Sequence, residues 1–467
     1  MNILAKLIAK TCCAAVVCCA AFAPASAQSV KMPPYKKTVL KNGMTVLIME
    51  QHKVPLVDLR LAFRTGTTSD PAGKEGIAGI TAGLLRKGTK KYDALQISEA
   101  LDSMGASFGA GAGADSSMCY AQFMSKDISK GMDLFAELVM RPTFPEDEFQ
   151  KLKAQSLDSM RASRDSASGV MGRYFASFFY GSHPYGRSSD EASLSSLTHS
   201  DVLDCYKSHY APSNAIFVAV GDFKTAEMEK MISASFGSWN SKEKPRPVAI
   251  PKPSKVEGKK VLLVDKPDAT QTYFIIGNVG VDSSNPDRVA IQVVNTLFGG
   301  RFTSMINTAL RINSGLTYGA NAGFSQNKGG GTFVIASFTA NATTERAIDL
   351  ALETLKELHE KGVTEEGLNS AKAYIKGSFP PDTFETGSQL AGLLASLQIN
   401  GWTDSEVNDF VAKVDAVTLA DAKRIIATYY PLDDLCFVLV GKASEIRPVA
   451  EKYSNQLTEK SIAGPGF

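Results

Sequence analysis

Histidine is scarce in this chain, with five residues among 467. No two histidines are four positions apart, so a helical pair of zinc ligands cannot be built locally. We expect each of them to have a structural or surface role. The chain also lacks a GxSxG elbow, a Walker loop and a GxGxxG stretch that opens a helix after a strand, which excludes the usual hydrolase and nucleotide-binding signatures. The histidines are His52, His183, His199, His209 and His359.

Cysteine is also rare, and most of it lies near the N-terminus. Four of the seven cysteines fall within the first 19 residues. The other three, Cys119, Cys205 and Cys436, are an odd number and form no CxxC pair. In an oxidising compartment, so few thiols favour a fold held by its hydrophobic core and not by disulfides.

Residues 1–27 have the layout of a secretory signal peptide. Lys6 and Lys10 precede an apolar run from Cys12 to Phe22, and Pro24-Ala-Ser-Ala27 follows as a small-residue cleavage site. The apolar run is too short to span a bilayer. We expect cleavage after Ala27 and export, to the periplasm. A lipoprotein alternative at Cys18 or Cys19 is weaker, because Val17 and Cys18 precede them where a small residue is wanted.

A strong charge of one sign is missing as well. Removing the signal removes two of the 50 basic residues and none of the 48 acidic ones, so the mature chain is formally neutral. This balance gives no attraction to nucleic acid or to an anionic membrane. No later segment reaches transmembrane length, so we expect no membrane insertion after cleavage. The remaining length predicts two or three domains.

An internal repeat indicates a duplicated domain. Residues 197–221 and 417–441 align without a gap at an offset of 220. In each copy a Thr and an Asp three residues later predict a capping box, followed by a short helix, a proline turn and an apolar strand that ends at Gly. The matched pairs are Thr198 with Thr418, Asp201 with Asp421, Tyr210 with Tyr430, and Gly221 with Gly441.

Each half mixes strands with amphipathic helices, which predicts an α+β fold. Residues 241–258 are rich in proline and lysine, and we interpret them as a rigid, polar linker outside any core. The predicted domains are therefore residues 28–240 and 259–467. Predicted strands are 44–49, 56–63, 261–265 and 272–277; predicted helices are 286–298 and one that includes Ile348–Leu355 and ends before Gly362. The Gly109–Gly113 run predicts a strand or loop.

Several segments resemble the insulinase/pitrilysin family of zinc peptidases, in order and over nearly the whole mature chain. They are residues 42–89, beginning NGMTVLIMEQHKVPLV, then RPTFPEDEF at 141–149, HPYGR at 183–187, YAPSNAIFVAVGDF at 210–223, and FGGRFTSMINTALRINSGLTYGANAGF at 298–324. The resemblance implies two homologous domains, each a largely antiparallel sheet covered by helices, arranged as half of a clam-like chamber.

The zinc motif of the active members is lost in this chain. Where they carry H-x-x-E-H, this sequence reads Gly79-Ile-Thr-Ala82-Gly83, so both histidines are replaced by glycine and the glutamate by alanine. The third ligand falls at Ser159, or at Asp158 if the register slips by one. We therefore expect this chain to bind no zinc and to lack the general base that activates water. The glycines, with Gly76, reflect either close packing or decay of the former site.

The family's second catalytic element is retained. Arg311 is predicted to end a helix over 303–310, and Tyr318 to lie in the strand-like stretch that follows. In the family the matching pair contacts the substrate carbonyl, and both side chains can donate hydrogen bonds to an oxyanion. The alternative is structural: an arginine that complements a helix dipole and a tyrosine that packs.

Some relatives divide the catalytic work between two chains. We therefore expect this chain to be the non-zinc subunit of an exported heterodimer, inactive alone, in which Arg311 and Tyr318 act in trans. The partner would be a homologous H-x-x-E-H subunit that carries the zinc, and the substrates unstructured peptides. The alternative is a catalytically silent scaffold or peptide-holding subunit, like the core proteins of respiratory cytochrome bc complexes. An independent peptidase with another site is a third possibility. Peptide specificity and self-association remain open.

Overall fold

The computed structural model describes residues 30–241, 245, 248–454 and 456–467. The predicted signal peptide lies outside these residues. The described chain forms two six-stranded mixed sheets with helices packed on them, which confirms the α+β prediction.

The first sheet has the strand order β1-β2-β6-β3-β5-β4. Four of its five neighbouring pairs are antiparallel, and β2 with β6 is the parallel one. The glycine-rich run forms the edge strand β4, as its composition predicts. The strands are β1 Lys36–Val39, β2 Thr45–Glu50, β3 Leu56–Phe63, β4 Ser107–Ala112, β5 Ser117–Met124 and β6 Ala215–Gly221.

The second sheet repeats this order as β12-β7-β11-β8-β10-β9. It differs at one edge, where β12 runs parallel to β7, whereas β1 runs antiparallel to β2. The strands are β7 Lys260–Asp265, β8 Gln271–Val279, β9 Ala320–Phe324, β10 Thr332–Ala340, β11 Cys436–Gly441 and β12 Gln456–Ser461.

Helices connect the strands of the first half. They are α1 Ile77–Leu84, α2 Ala94–Ser103, α3 Ile128–Met140, α4 Glu146–Ser163, α5 Ala167–Tyr180, α6 Glu191–Ser196, α7 His199–His209 and α8 Thr225–Phe236.

The helices of the second half include one π-helical segment, Thr308–Asn313. None of the helices among the described residues of either half is both long and apolar enough to cross a membrane. The α-helices are α9 Arg288–Phe298, α10 Met305–Asn307, α11 Thr344–Lys361, α12 Glu365–Phe384, α13 Gly387–Asn400, α14 Ser405–Asn408, α15 Phe410–Ala416, α16 Leu419–Tyr429 and α17 Ala443–Lys452.

The repeated sequence produces the same local structure twice. Thr198 and Thr418 each accept a hydrogen bond from the backbone N–H three residues on, and the Asp at that position bonds back, so both predicted capping boxes form. The helices α7 and α16 then lead into β6 and β11, which are buried along their whole length. Each of these strands lies inside its sheet, between two neighbouring strands.

The two halves exchange helices across their sheets. Helix α5 of the first half packs on the second sheet, where Val170 and Tyr174 join a core with Val438. Helix α13 of the second half packs on the first sheet, where Leu390 and Leu394 join a core with residues that include Val218. The repeat offset of 220 relates both ends of these two helices and also their inward-facing residues. Each sheet is therefore covered on one face by the other half.

The proline-rich segment is less separate than its composition predicts. Val256 is 5 % exposed and joins a buried core cluster that contains residues of both halves, so at this position the interpretation of residues 241–258 as a segment outside any core is wrong. Its backbone N–H donates to Asn278, so the segment is held by the second sheet as well.

We predict that Leu394→Ala lowers the free energy of unfolding by about 2–5 kcal/mol, because Leu394 is fully buried between α13 and the first sheet. Urea denaturation followed by circular dichroism measures this loss. The control is Leu95→Ala, whose side chain is 67 % exposed and should change stability by less than about 0.5 kcal/mol. Equal effects of the two substitutions would mean that the exchanged helix does not stabilise the fold.

Candidate functional site: a degenerate zinc motif and an arginine–tyrosine pair

Three of the four degenerate zinc-motif positions face one cavity. Gly79 and Gly83 lie on α1 and Ser159 lies on α4, and all three line a cavity of about 490 Å³. Ala82 is buried on the other side of the helix, at 1 % exposure, and does not line it. Asp158, the alternative third ligand, points away: its side chain is 77 % exposed and pairs with Arg161. The structure therefore favours Ser159 over Asp158 as the residue that faces the former site.

The donor set at this cavity does not fit zinc. Two glycines offer no side-chain ligand, and a serine hydroxyl is a poor substitute for a carboxylate, whereas zinc needs three protein ligands of the His, Cys or Asp/Glu type. Within the described ranges, no group of three or more His, Cys, Asp or Glu residues is arranged to hold a metal ion. We therefore derive no catalytic step through a metal held by this chain.

The structure explains two of the three glycines near the motif. Gly76 precedes α1 and is not part of the helix. Its φ of 103° is a conformation that disfavours residues with a side chain. An added Cβ at Gly83 would lie 3.0 Å from Leu152 Cδ2, so close packing applies there. An added Cβ at Gly79 would meet nothing within 4 Å. Packing therefore explains Gly83 and backbone geometry explains Gly76, but neither requires glycine at Gly79.

A buried carboxylate holds the start of α1. Asp70 is 3 % exposed and accepts hydrogen bonds from the backbone N–H groups of Gly76 and Ala78. Arg187, from the HPYGR segment, donates to the backbone oxygens of Thr68 and Asp70 and so fixes the same loop. Burial raises the pKa of the Asp70 carboxyl to about 6 despite these bonds. Arg187 and Asp70 thus hold the loop that leads into the motif helix.

Arg311 and Tyr318 lie together at the surface of the second half. The Arg311 guanidinium carbon is 4.4 Å from the centre of the Tyr318 ring and 4.8 Å from that of Phe302, so the guanidinium contacts both rings. Tyr318 is 76 % exposed and Phe302 60 %. Among the described residues, neither the guanidinium nor the phenol has a hydrogen-bonding or ion-pair partner. The tyrosine therefore does not pack in a core.

The backbone that carries Arg311 differs from the prediction. The predicted helix over 303–310 is a short α10 followed by the π-helical segment, and Arg311 lies inside that segment and not after a helix. Leu310, its buried neighbour, anchors the segment and accepts the Leu316 N–H, which brings the chain back toward Tyr318. The widened turn was missed because hydrophobic periodicity does not reveal one extra residue in a helix.

Asn307 fixes the two sides of this site and was not singled out from the sequence. It is 4 % exposed. Its amide donates to the backbone oxygen of Phe302 at 2.6 Å, and its amide oxygen accepts from the N–H of Ala320 at 3.1 Å. It thereby ties the Phe302 loop to the start of β9. A cavity of about 470 Å³, lined by Phe302 and Asn307 among others, lies beside it.

The histidines are dispersed, as their spacing predicts. One of them, His209, lies beside a cysteine, a contact that the sequence analysis missed. Cys205 Sγ lies 3.5 Å from His209 Nδ1, one helical turn apart, a spacing that could have been read from the sequence. Burial raises the pKa of the Cys205 thiol to about 12, so it is a poor nucleophile. The remaining histidines bond structurally: His52 to Glu50 and Asp222, His183 to the oxygen of Pro251, His199 to that of Phe144 and His359 to that of Tyr430.

Comparison with known proteins identifies the family. A model described as insulinase (peptidase family M16) matches residues 45–190, and one described as the peptidase M16 inactive domain matches residues 196–375. The two sheets and the altered motif define a two-domain, peptidase-like chain, and the residues that the structure describes contain no cluster of zinc ligands. The chain belongs to the insulinase family of peptidases, M16.

Individual relatives are distant but cover nearly the whole chain. An uncharacterized zinc protease of Rickettsia felis is 25 % identical over 91 % of this chain and 96 % of its own length. Zinc protease PqqE of Helicobacter pylori is 25 % identical over 85 % of this chain and 91 % of its own. The crystal structure of a peptidase M16 inactive domain from Pseudomonas fluorescens superposes with a TM-score of 0.82 and 25 % identity, covering 88 % of this chain and 98 % of that one.

We predict that Gly79→Ala stabilises the protein by about 1 kcal/mol, because the position is helical and its Cβ would meet open space. The matched control is Gly76→Ala, which should destabilise, since Gly76 has positive φ and its Cβ would lie 2.9 Å from Leu194 Cδ2. Thermal or urea unfolding of the two variants measures both effects. A destabilised Gly79→Ala would show that a packing constraint exists there after all.

We predict that Asp70 makes the fold less stable as the pH rises from about 4 to 6. Its folded pKa of about 6 lies above the ordinary aspartate pKa of 3.8, so the folded state holds the proton more tightly and loses stability as that proton leaves. The Asp70→Asn chain cannot ionise and should lack this decline, which is on the order of 3 kcal/mol. Urea unfolding of both proteins at pH 4 and pH 7 gives the difference. Parallel pH profiles would contradict the assignment.

Proposed function

We propose that this chain is the non-zinc subunit of an exported, heterodimeric insulinase-like zinc peptidase. The observation that carries the proposal is the exposed pair Arg311 and Tyr318, whose polar groups have no partner within the described chain. A structural arginine would be expected to pair with a carboxylate or to cap carbonyls, and a structural tyrosine to be buried. Two hydrogen-bond donors held side by side at the surface instead suit a ligand supplied from outside.

The chemistry of the pair suits a peptide carbonyl. A guanidinium and a phenol both donate hydrogen bonds, and the negative charge on the carbonyl oxygen grows when water attacks the carbon. Contacts that strengthen as charge develops lower the barrier without holding the substrate more tightly. The Phe302 ring also contacts the guanidinium and so limits the directions in which it can point. Arg311 and Tyr318 are thus the catalytic residues of this subunit.

The partner would complete what this chain lacks. The positions of the zinc motif here provide no ligand set and no general base, so we propose a homologous H-x-x-E-H subunit as the source of both. The two halves of this chain would form one side of a clam-like chamber. Its substrates would be unstructured peptides small enough to enter such a chamber. Residues 1–27 support export, and we propose a periplasmic location.

The decisive experiment is cleavage of an internally quenched unstructured peptide by this chain, by an H-x-x-E-H homologue, and by the two mixed, each with and without a zinc chelator. We expect turnover only in the mixture, abolished by the chelator. Arg311→Ala and Tyr318→Phe should each lower kcat/KM of the mixture by roughly 100-fold, the usual loss for one oxyanion donor.

The control for charge is Arg346→Ala, an exposed arginine on α11 that pairs with Glu353 and should leave turnover unchanged. Co-purification of the two chains establishes that loss of turnover is not loss of assembly. A complex that forms and cleaves equally well with Arg311→Ala would remove the catalytic role. A complex that forms but never cleaves would instead favour the catalytically silent scaffold.

A further inference from the structure

The cavity at the lost zinc motif carries a single ionisable side chain among its lining residues. That residue is Arg173, on helix α5. The rest of the lining is small, apolar or neutral and polar, and contains no carboxylate. The cavity therefore presents one positive charge. In active relatives the corresponding site contains carboxylate and imidazole groups around a metal. The neutral polar residues of the lining are Thr67, Gln155, Ser156, Ser159 and Ser189.

Arg173 has no counter-charge in the described part of the chain. Its guanidinium Nη1 lies 2.7 Å from the Met160 sulfur, and its guanidinium carbon is 5.2 Å from the centre of the Phe467 ring. Arg164, at the end of the preceding helix, differs because it pairs with Glu191 at 3.2 Å. The Arg173 side chain is half-buried, and burial lowers the pKa of its guanidinium, although an arginine stays charged at neutral pH. A half-buried, unpaired cation costs free energy that an incoming anion would recover.

Neutral hydrogen-bonding groups line the same cavity as this cation. The Ser159 hydroxyl, at the position predicted for the third zinc ligand, makes no hydrogen bond to another described residue. The Gln155 amide lies one turn earlier on α4 and likewise has no partner among the described residues. The Ser156 hydroxyl donates to the backbone oxygen of Leu152, which leaves its oxygen free to accept. The open space at Gly79 keeps the cavity accessible.

We propose that this cavity binds a carboxylate group of a peptide, with Arg173 as its principal ligand. The planar guanidinium matches a carboxylate with two parallel hydrogen bonds, and neighbouring hydroxyl and amide donors can satisfy the remaining lone pairs. The choice of a peptide as the carrier rests on the proposed function. The carboxylate can belong to the C-terminus or to an acidic side chain. The degenerate motif thereby becomes an anchoring site in this subunit.

The test uses isothermal titration calorimetry on the full chain, without a fluorescent label that would add charge. Three unstructured ten-residue peptides are compared. Two have only neutral side chains and end in a free carboxylate or in an amide. The third ends in the amide and contains a single glutamate. We expect at least one carboxylate peptide to bind about tenfold or more tightly than the neutral amide, as a charge-assisted pair provides. Which of the two binds more tightly identifies the source of the carboxylate. Equal affinities for all three would overturn the proposal.

Three variants assign the effect to the cavity. Arg173→Gln should abolish the preference for carboxylate, and Arg173→Lys should retain only part of it, since lysine lacks the planar fork. Gly79→Leu should abolish it by filling the cavity from a position where added atoms meet open space, so it decides the matter if Arg173→Gln fails to fold. Arg161→Gln, which removes a 61 % exposed positive charge from the neighbouring helix outside the cavity lining, should leave it intact. A preference that survives Gly79→Leu in a folded chain would place the anion elsewhere.

Failure of this inference can be separated from failure of the proposed function. Binding is measured on this chain alone, whereas cleavage is measured on the mixture with the H-x-x-E-H homologue. Turnover by the mixture without any carboxylate preference would overturn the Arg173 site only. A carboxylate preference that depends on Arg173, without turnover by any mixture that assembles, would overturn the split peptidase and keep the site.

Discussion

The reciprocal exchange of two helices is the constraint on which the rest of this structure depends. A six-stranded sheet has two apolar faces, and the helices that follow each strand within one half cover only one of them. Helix α5 and helix α13 cover the remaining faces of the opposite sheets, with Tyr174 and Leu394 at matching places. Neither half can bury its sheet alone. The relative orientation of the two halves, and hence of everything attached to them, is set by packing and not by the proline-rich segment.

Local features could be predicted from the sequence because their causes are local. Capping boxes at Thr198 and Thr418 need only two residues each, and the buried strands follow from their apolar runs. The helix exchange could not be predicted, since an amphipathic helix over 167–180 shows an apolar face without showing which sheet it meets. Val256 was misjudged for a related reason, because proline-rich composition describes the average of a segment and not the one residue that anchors it.

The candidate site also combines features that the sequence reveals with features that depend on tertiary packing. The loss of zinc ligands at Gly79, Ala82 and Gly83 is visible in the letters of the motif, and so is the Arg311–Tyr318 spacing. That a cavity persists depends on neighbours from α4 and α5 not collapsing into it, which is a property of tertiary packing. Arg173 lies 89 residues beyond the end of the motif helix, so no local pattern connects the two. Asn307 escaped attention because a buried asparagine has no signature apart from its partners.

The π-helical segment at Thr308–Asn313 makes the arginine–tyrosine pair sensitive to chain length as well as to side-chain identity. One residue advances a helix by about 100°. A single-residue deletion in this segment would restore an ordinary α-helix and turn Arg311 away from the ring it now contacts, while leaving both side chains in the sequence. In an alignment of related chains, a one-residue gap in this segment would therefore indicate a lost site even where both the arginine and the tyrosine are present.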